Sequence, residues 1–195
     1  MKTLSIIFVL ATSMLIACQN SSSAKVDENK QVTDSSSLTT DTIPDQNSHS
    51  VSAQNPIIKD VLDHYLELKN ALTADGTKEA ASAGEKMFQA LSALPTSSLT
   101  ADQQKEVKEI VDDAKEHAEH IGQNAGNIKH QREHFQELST DMYDLLKLVG
   151  TSQKVYKDSC PMVKAIWISE KEEIVNPYYG KKMLTCGKIQ ETIEQ

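Results

Sequence analysis

Between Asn55 and Gly150, apolar residues recur every three or four positions in four successive runs, and glycine or proline punctuates them. Side chains three and four apart share one face of an α-helix, so this periodicity predicts four amphipathic helices. The first run opens at Asn55-Pro56, with Asn as N-cap and Pro at the first helical position. It carries Ile57, Ile58, Val61, Leu62, Tyr65, Leu66 and Leu72 on one face and breaks at Asp75-Gly76. The second, from about Thr77 to Leu94, places Ala80, Ala83, Met87, Leu91 and Leu94 in a stripe and ends at Pro95. Thr100 and Gln103 form a capping box for the third. Its stripe is Val107, Ile110, Val111, Ala114, Ala118 and Ile121, and Gly122 and Gly126 bracket the following turn. The fourth carries Ile128, Phe135, Leu138, Met142, Leu145 and Val149, and Gly150 stops it. Short loops between such helices imply neighbours packed up and down in a bundle.

The segment before this body is of another kind. Lys2 and the apolar run Leu4 to Ala11 form the n-region and h-region of a signal peptide. The run is too short to span a bilayer, which takes roughly 20 residues. It ends in Leu15-Ile16-Ala17-Cys18, the pattern of a lipobox, with an apolar residue at −3 and a small one at −1. Residues 1–17 are therefore expected to be removed, leaving Cys18 to carry lipid on its thiol. Residues 18–55, rich in Ser, Asn, Asp and Thr, lack the apolar surface that would offset ordering entropy. They read as a disordered tether reaching roughly 30–35 Å as a random coil. Gln19, not Asp, follows the cysteine, which leaves an outer-membrane anchor facing the periplasm open.

The formal net charge is −8. That balance excludes nucleic acid as a partner, because phosphate contacts need clustered Lys and Arg. The membrane is then met through the lipid anchor rather than through basic patches.

Four of the six histidines flank one turn. In an antiparallel hairpin, residues at one level have position numbers with about the same sum. His117 pairs with His134 on this arithmetic, and His120 with His130. Spacings of three and four keep each pair on one side of its helix. The four could serve as a metal or proton-sensing patch. Interleaved Glu116, Glu119, Lys129 and Glu133 fit a plain solvated face, the commoner meaning of such a pattern.

The last 45 residues change character again. Tyr156, Trp167, the β-branched residues and the Asn176-Pro177 turn signal predict short strands and ordered loops, with Trp167 at their core. If lipid consumes Cys18, then Cys160 and Cys186 remain as a pair in an exported, oxidising setting. A structural disulfide is one reading, worth typically about 2–4 kcal/mol. The other is a soft-metal site. Met162 and Met183 stand close to the cysteines in sequence, and thiolate with thioether suits Cu(I) better than zinc. The methionines fit equally well as core residues.

The elements Cys160-Pro161-Met162, Trp167-Ile168-Ser169, Asn176-Pro177-Tyr178-Tyr179-Gly180 and Met183-Leu184-Thr185-Cys186-Gly187 resemble a bacterial domain-of-unknown-function family. The stretch His130 to Ser139 is similar to that family's last helix. The family occurs in small periplasmic lipoproteins and as the C-terminal extension of CusB-like adaptors of copper/silver efflux pumps. The resemblance, over roughly residues 56–190, implies a copper or silver context and no established catalysis. It raises Cys160, Met162, Met183 and Cys186 as the first candidate ligands, with His117, His120, His130 and His134 second.

The chain is thus expected to be mainly α, an up-down four-helix bundle over 56–150 with a small C-terminal Cys/Met-containing strand-and-loop module over 151–195. It carries no Gly-x-Ser-x-Gly, His-Glu-x-x-His, P-loop or Cys-x-x-Cys-His motif, and no enzyme is expected. The expected function is copper handling at the cell envelope, with Cu(I) as cofactor and a metal efflux system or other periplasmic protein as partner. The alternative is a tethered interaction module with a Cys160–Cys186 disulfide.

Overall fold

The computed structural model describes residues 56–194. The signal peptide, Cys18 and the tether lie outside the described residues. A 3-10 turn at Pro56–Ile58 leads into α1 (Lys59–Thr73), followed by α2 (Thr77–Ser92), α3 (Ala101–Gln123) and α4 (Ile128–Val149). The strands are β1 (Val155–Cys160), β2 (Ala165–Ser169) and β3 (Lys188–Ile193), and a second 3-10 turn spans Gly180–Lys182. Among the described residues, no helix is long and apolar enough to cross a membrane.

Most of the predicted stripe residues form the core, with Leu94, Ile110, Val111 and Ile128 only partly buried against it. Val61, Leu62, Tyr65, Leu72, Ala80, Met87, Leu91, Val107, Ala114, Ile121, Phe135, Leu138, Met142 and Leu145 are all buried together. Helix starts follow local chemistry. Thr100 and Gln103 form the full reciprocal capping box on α3. Asn127 caps α4 through its side chain, which accepts from the His130 N–H at 3.3 Å. The first helix differs from expectation: its opening residues form the 3-10 turn, and the α-helix starts at Lys59 without a side-chain cap.

Gly122 also differs. It sits inside α3 and faces α2. A β-carbon on Gly84 would stand 2.9 Å from the Ala118 carbonyl and 3.0 Å from the Gly122 nitrogen. The two glycines let α2 and α3 backbones touch, a tertiary role that overrides the helix-breaking tendency of glycine.

The sheet is antiparallel with the order β2-β1-β3. Trp167 is fully buried, as its place in the sequence suggested. Buried hydroxyls join the sheet to the bundle. Ser139 donates to the Phe135 carbonyl at 2.7 Å, so its oxygen is left to accept from Tyr65 at 2.8 Å. The Tyr65 oxygen in turn accepts the Ile168 N–H of β2 at 3.0 Å. Tyr178 donates to the Ile166 carbonyl. Lys69 of α1 is buried and pairs with Glu170 just after β2 at 2.6 Å. Desolvating that ammonium is tolerable because the carboxylate meets it.

Candidate functional site

Cys160 ends β1, and its partner across the hairpin is Ala165. The four-residue turn between them, Pro161 to Lys164, closes with the Lys164 N–H donating to the Cys160 carbonyl at 2.9 Å. Cys186 arrives from the other side. Ser159 pairs with Lys188 at the start of β3, so β-pairing brings the residues just before β3 alongside the end of β1. Gly187 fits there because a β-carbon would lie 2.7 Å from the Trp167 ring and 3.0 Å from the Ser159 carbonyl.

The two thiols are free, and their sulfurs lie 3.1 Å apart. That exceeds the ~2.05 Å of a disulfide bond. It is shorter than the roughly 3.7 Å between two thiolates bound to one tetrahedral ion. Burial acts to raise the Cys160 thiol, but the Val163 N–H, the Cys186 thiol, the Met162 N–H and the Asn176 amide outweigh it and hold it below its ordinary value. Cys186 moves the opposite way, raised chiefly by its hydrogen bond to Cys160 and then by burial. Cys160 is thus the sulfur on which a thiolate forms first, with Cys186 as the proton-bearing partner.

Asn176 organises this corner, and sequence reasoning treated it only as a turn signal. Its side chain is fully buried. Its Oδ1 accepts the N–H groups of Tyr178 at 2.8 Å and Tyr179 at 3.2 Å. Its Nδ2 donates to the Cys186 carbonyl at 2.6 Å, and its backbone N–H to the Leu184 carbonyl at 2.7 Å. The signal was in the sequence: Asn bonds readily to backbone two residues on, which makes an Asx turn.

The methionines are not core residues. Met162, on the turn after Cys160, is 59% exposed, and Met183, three residues before Cys186, is 37% exposed. Both thioethers thus lie at the surface, on the two segments that deliver the cysteines. Two residues before Cys160, Asp158 is buried, and its carboxyl is pushed up to about 7, chiefly by burial.

The four histidines do gather, as the hairpin arithmetic predicts. His117 Nδ1 lies 3.1 Å from His134 Nδ1. The His120 and His134 rings stack at 4.4 Å and 8°. His130 meets His134 edge-on at 4.6 Å. Partial burial, and then the neighbouring imidazoles, hold His134 below its ordinary value.

Histidines and sulfurs form separate groups. Ile128, Arg132 and Gln136 of α4 line one groove with Val163 and Tyr179 of the cysteine module. At 3.6 residues per turn, His130 and His134 point to the far side of that helix. Among the described residues, no histidine or carboxylate joins the two sulfurs in a three-donor group.

A family model described as protein of unknown function (DUF3347) matches residues 61–154. It supports reading the helical body, with all four clustered histidines, as a domain of that family. The match ends before β1, so the cysteine elements lie beyond it. No curated protein and no solved structure matches the chain.

Proposed function

We propose that this is a lipid-anchored protein of the bacterial envelope that binds Cu(I) or Ag(I) and buffers it or passes it to an efflux system. The observation that carries the reading is the pair of free sulfurs 3.1 Å apart. Cys160 is biased toward thiolate by backbone N–H groups, and thiolate is the form that ligates soft metals. Opening the pair by roughly 0.6 Å would reach the sulfur spacing of two thiolates on one tetrahedral ion, and a linear two-sulfur geometry would need it to open further. Met162 and Met183, exposed on the segments that carry the two cysteines, would add thioethers where an ion could be loaded and released. Lipid on Cys18, left by removal of residues 1–17, would hold the domain at the membrane, with the outer membrane facing the periplasm as its place.

Cu(I) titration of the reduced full chain against a chromophoric chelator tests this. One equivalent is expected, and Cys160→Ser with Cys186→Ser should abolish it. Absence of stoichiometric binding, or binding indifferent to both substitutions, overturns the reading.

The short sulfur separation also favours a second reading, a redox-formed disulfide in a non-catalytic interaction module. Loss of two hydrogens in mass on oxidation, with no metal affinity in the reduced form, would select it. A reversible disulfide and a metal site are compatible if oxidation releases the ion.

A further inference from the structure

We infer that the seam between α3 and α4 is a second metal site, taking a borderline divalent ion such as Cu(II) or Zn(II), with His120, His130 and His134 as ligands and His117 positioning His134. The inference stands apart from the sulfur reading and uses none of its residues.

The backbone spacing comes first. His130 and His134 are one turn apart on α4, the i,i+4 spacing by which two histidines on one helix hold a single ion. The antiparallel packing of α3 then supplies His120 from the facing helix. One ring nitrogen from each of the three lies within 4.8 Å of the other two. Around an ion with metal–nitrogen bonds of about 2.0–2.1 Å, ligand nitrogens sit roughly 3.3 Å apart. Closing that gap takes an ångström or so of side-chain rotation, and all three residues are only half-buried.

The surroundings fit a ligand set. The 3.1 Å contact to His117 engages the Nδ1 of His134 and leaves its Nε2 for the ion. Metal-bound histidines characteristically engage the second ring nitrogen in this way, which orients the ring. Glu133 lies 3.6 Å from His130 Nδ1, and Glu116 is close enough to His134 to act on its charge. Both would offset a dipositive ion. An all-imidazole donor set selects Cu, Zn or Ni over Mg or Ca, and among divalent ions Cu(II) binds such sites most tightly. Three protein ligands leave a coordination position open, which marks a site that exchanges its ion or water and not a closed structural one.

The test is a Cu(II) titration of the full chain carrying Cys160→Ser and Cys186→Ser, read by binding and by electron paramagnetic resonance, with Zn(II) in parallel. One equivalent bound is expected, with hyperfine couplings from three imidazole nitrogens. His130→Asn or His134→Asn should weaken binding at least 100-fold and remove one nitrogen coupling each. His117→Gln should weaken it roughly 10–100-fold with the three couplings kept. His49→Asn with His64→Asn should leave it unchanged. Circular dichroism checks that each variant is folded, and if the double serine chain is not, Cys186→Ser alone serves, since the nitrogen couplings report the imidazoles directly. Binding absent in the folded chain, or unmoved by His130→Asn and His134→Asn, overturns the site whatever happens at the sulfurs.

Discussion

The Asn176 side chain donates to the carbonyl of Cys186 at 2.6 Å, and through that bond one buried amide sets where the second thiol stands. Its two acceptor bonds hold the Tyr178 and Tyr179 N–H groups at the same time. Asn176→Ala leaves three backbone groups without partners inside the fold. The expected cost is about 2–4 kcal/mol, since each orphaned buried polar group costs about 1–3 kcal/mol and some relax toward water. Urea denaturation measures it. The same variant should also bring Cys160 reactivity closer to that of an ordinary thiol, read by alkylation rates over a range of pH.

The sulfur pair predicts a redox-dependent stability. Oxidised glutathione should convert Cys160 and Cys186 to an intramolecular disulfide, releasing two equivalents of glutathione. The closed loop spans 26 positions. Loop-closure entropy then gives about 3.5 kcal/mol of added stability. The urea midpoint should rise on oxidation and return with reductant. An unchanged midpoint, with the disulfide confirmed by mass, would mean that native strain cancels the gain.

Gly84→Ala should destabilise although alanine is the better helix former by about 1 kcal/mol. Its β-carbon would meet the Ala118 carbonyl at 2.9 Å, and that atom is backbone that cannot swing aside. Overpacking of this kind costs typically about 1–3 kcal/mol. A fall in melting temperature of a few degrees is expected, with no change in the secondary structure seen by circular dichroism.

Asp141 on α4 should give the protein a stability that declines with rising pH. Burial, followed by the charges of Asp113, Asp144 and Glu137, pushes its carboxyl up to about 7 from the ordinary 3.8. The folded state therefore holds a proton that the unfolded chain has lost, and between those values the fold weakens as pH rises. Its contribution is complete below about pH 4 and gone above about pH 7. Asp141→Asn should stabilise the protein at pH 8 by about 1–3 kcal/mol, discounted for partial exposure, and by little at pH 4. A Tm difference between the two proteins that stays flat from pH 4 to 8 would contradict this.

The four helices, most of their stripes and the start of α3 were legible in the sequence because each rests on neighbours within a turn. Three- and four-residue spacing is enough to name the buried face of α3, and Thr100 with Gln103 is enough to place its start. His117 and His134 could be paired on paper because a short turn joins their helices, and hairpin geometry follows from chain order. Gly122 was misread for the opposite reason. Locally it is a helix breaker, but what keeps it in α3 is the backbone of α2, some forty positions away.

The cysteine corner lay beyond the sequence in the same sense. Sequence made Cys160 and Cys186 a pair by elimination, but the 3.1 Å separation depends on β3 crossing to the far edge of β1 and on Asn176 anchoring the intervening loop. Likewise, nothing within the Cys160-Pro161-Met162 turn says that Cys160 is buried while Met162 is exposed. By itself the sequence determined which segments are helical and which residues face inward, because those are matters of hydrogen bonds and periodicity within a few residues. Tertiary structure alone decided which sulfurs and imidazoles share a site, because those contacts join distant segments. Only the packed sheet and bundle select one arrangement of such segments out of the many that the local chain allows.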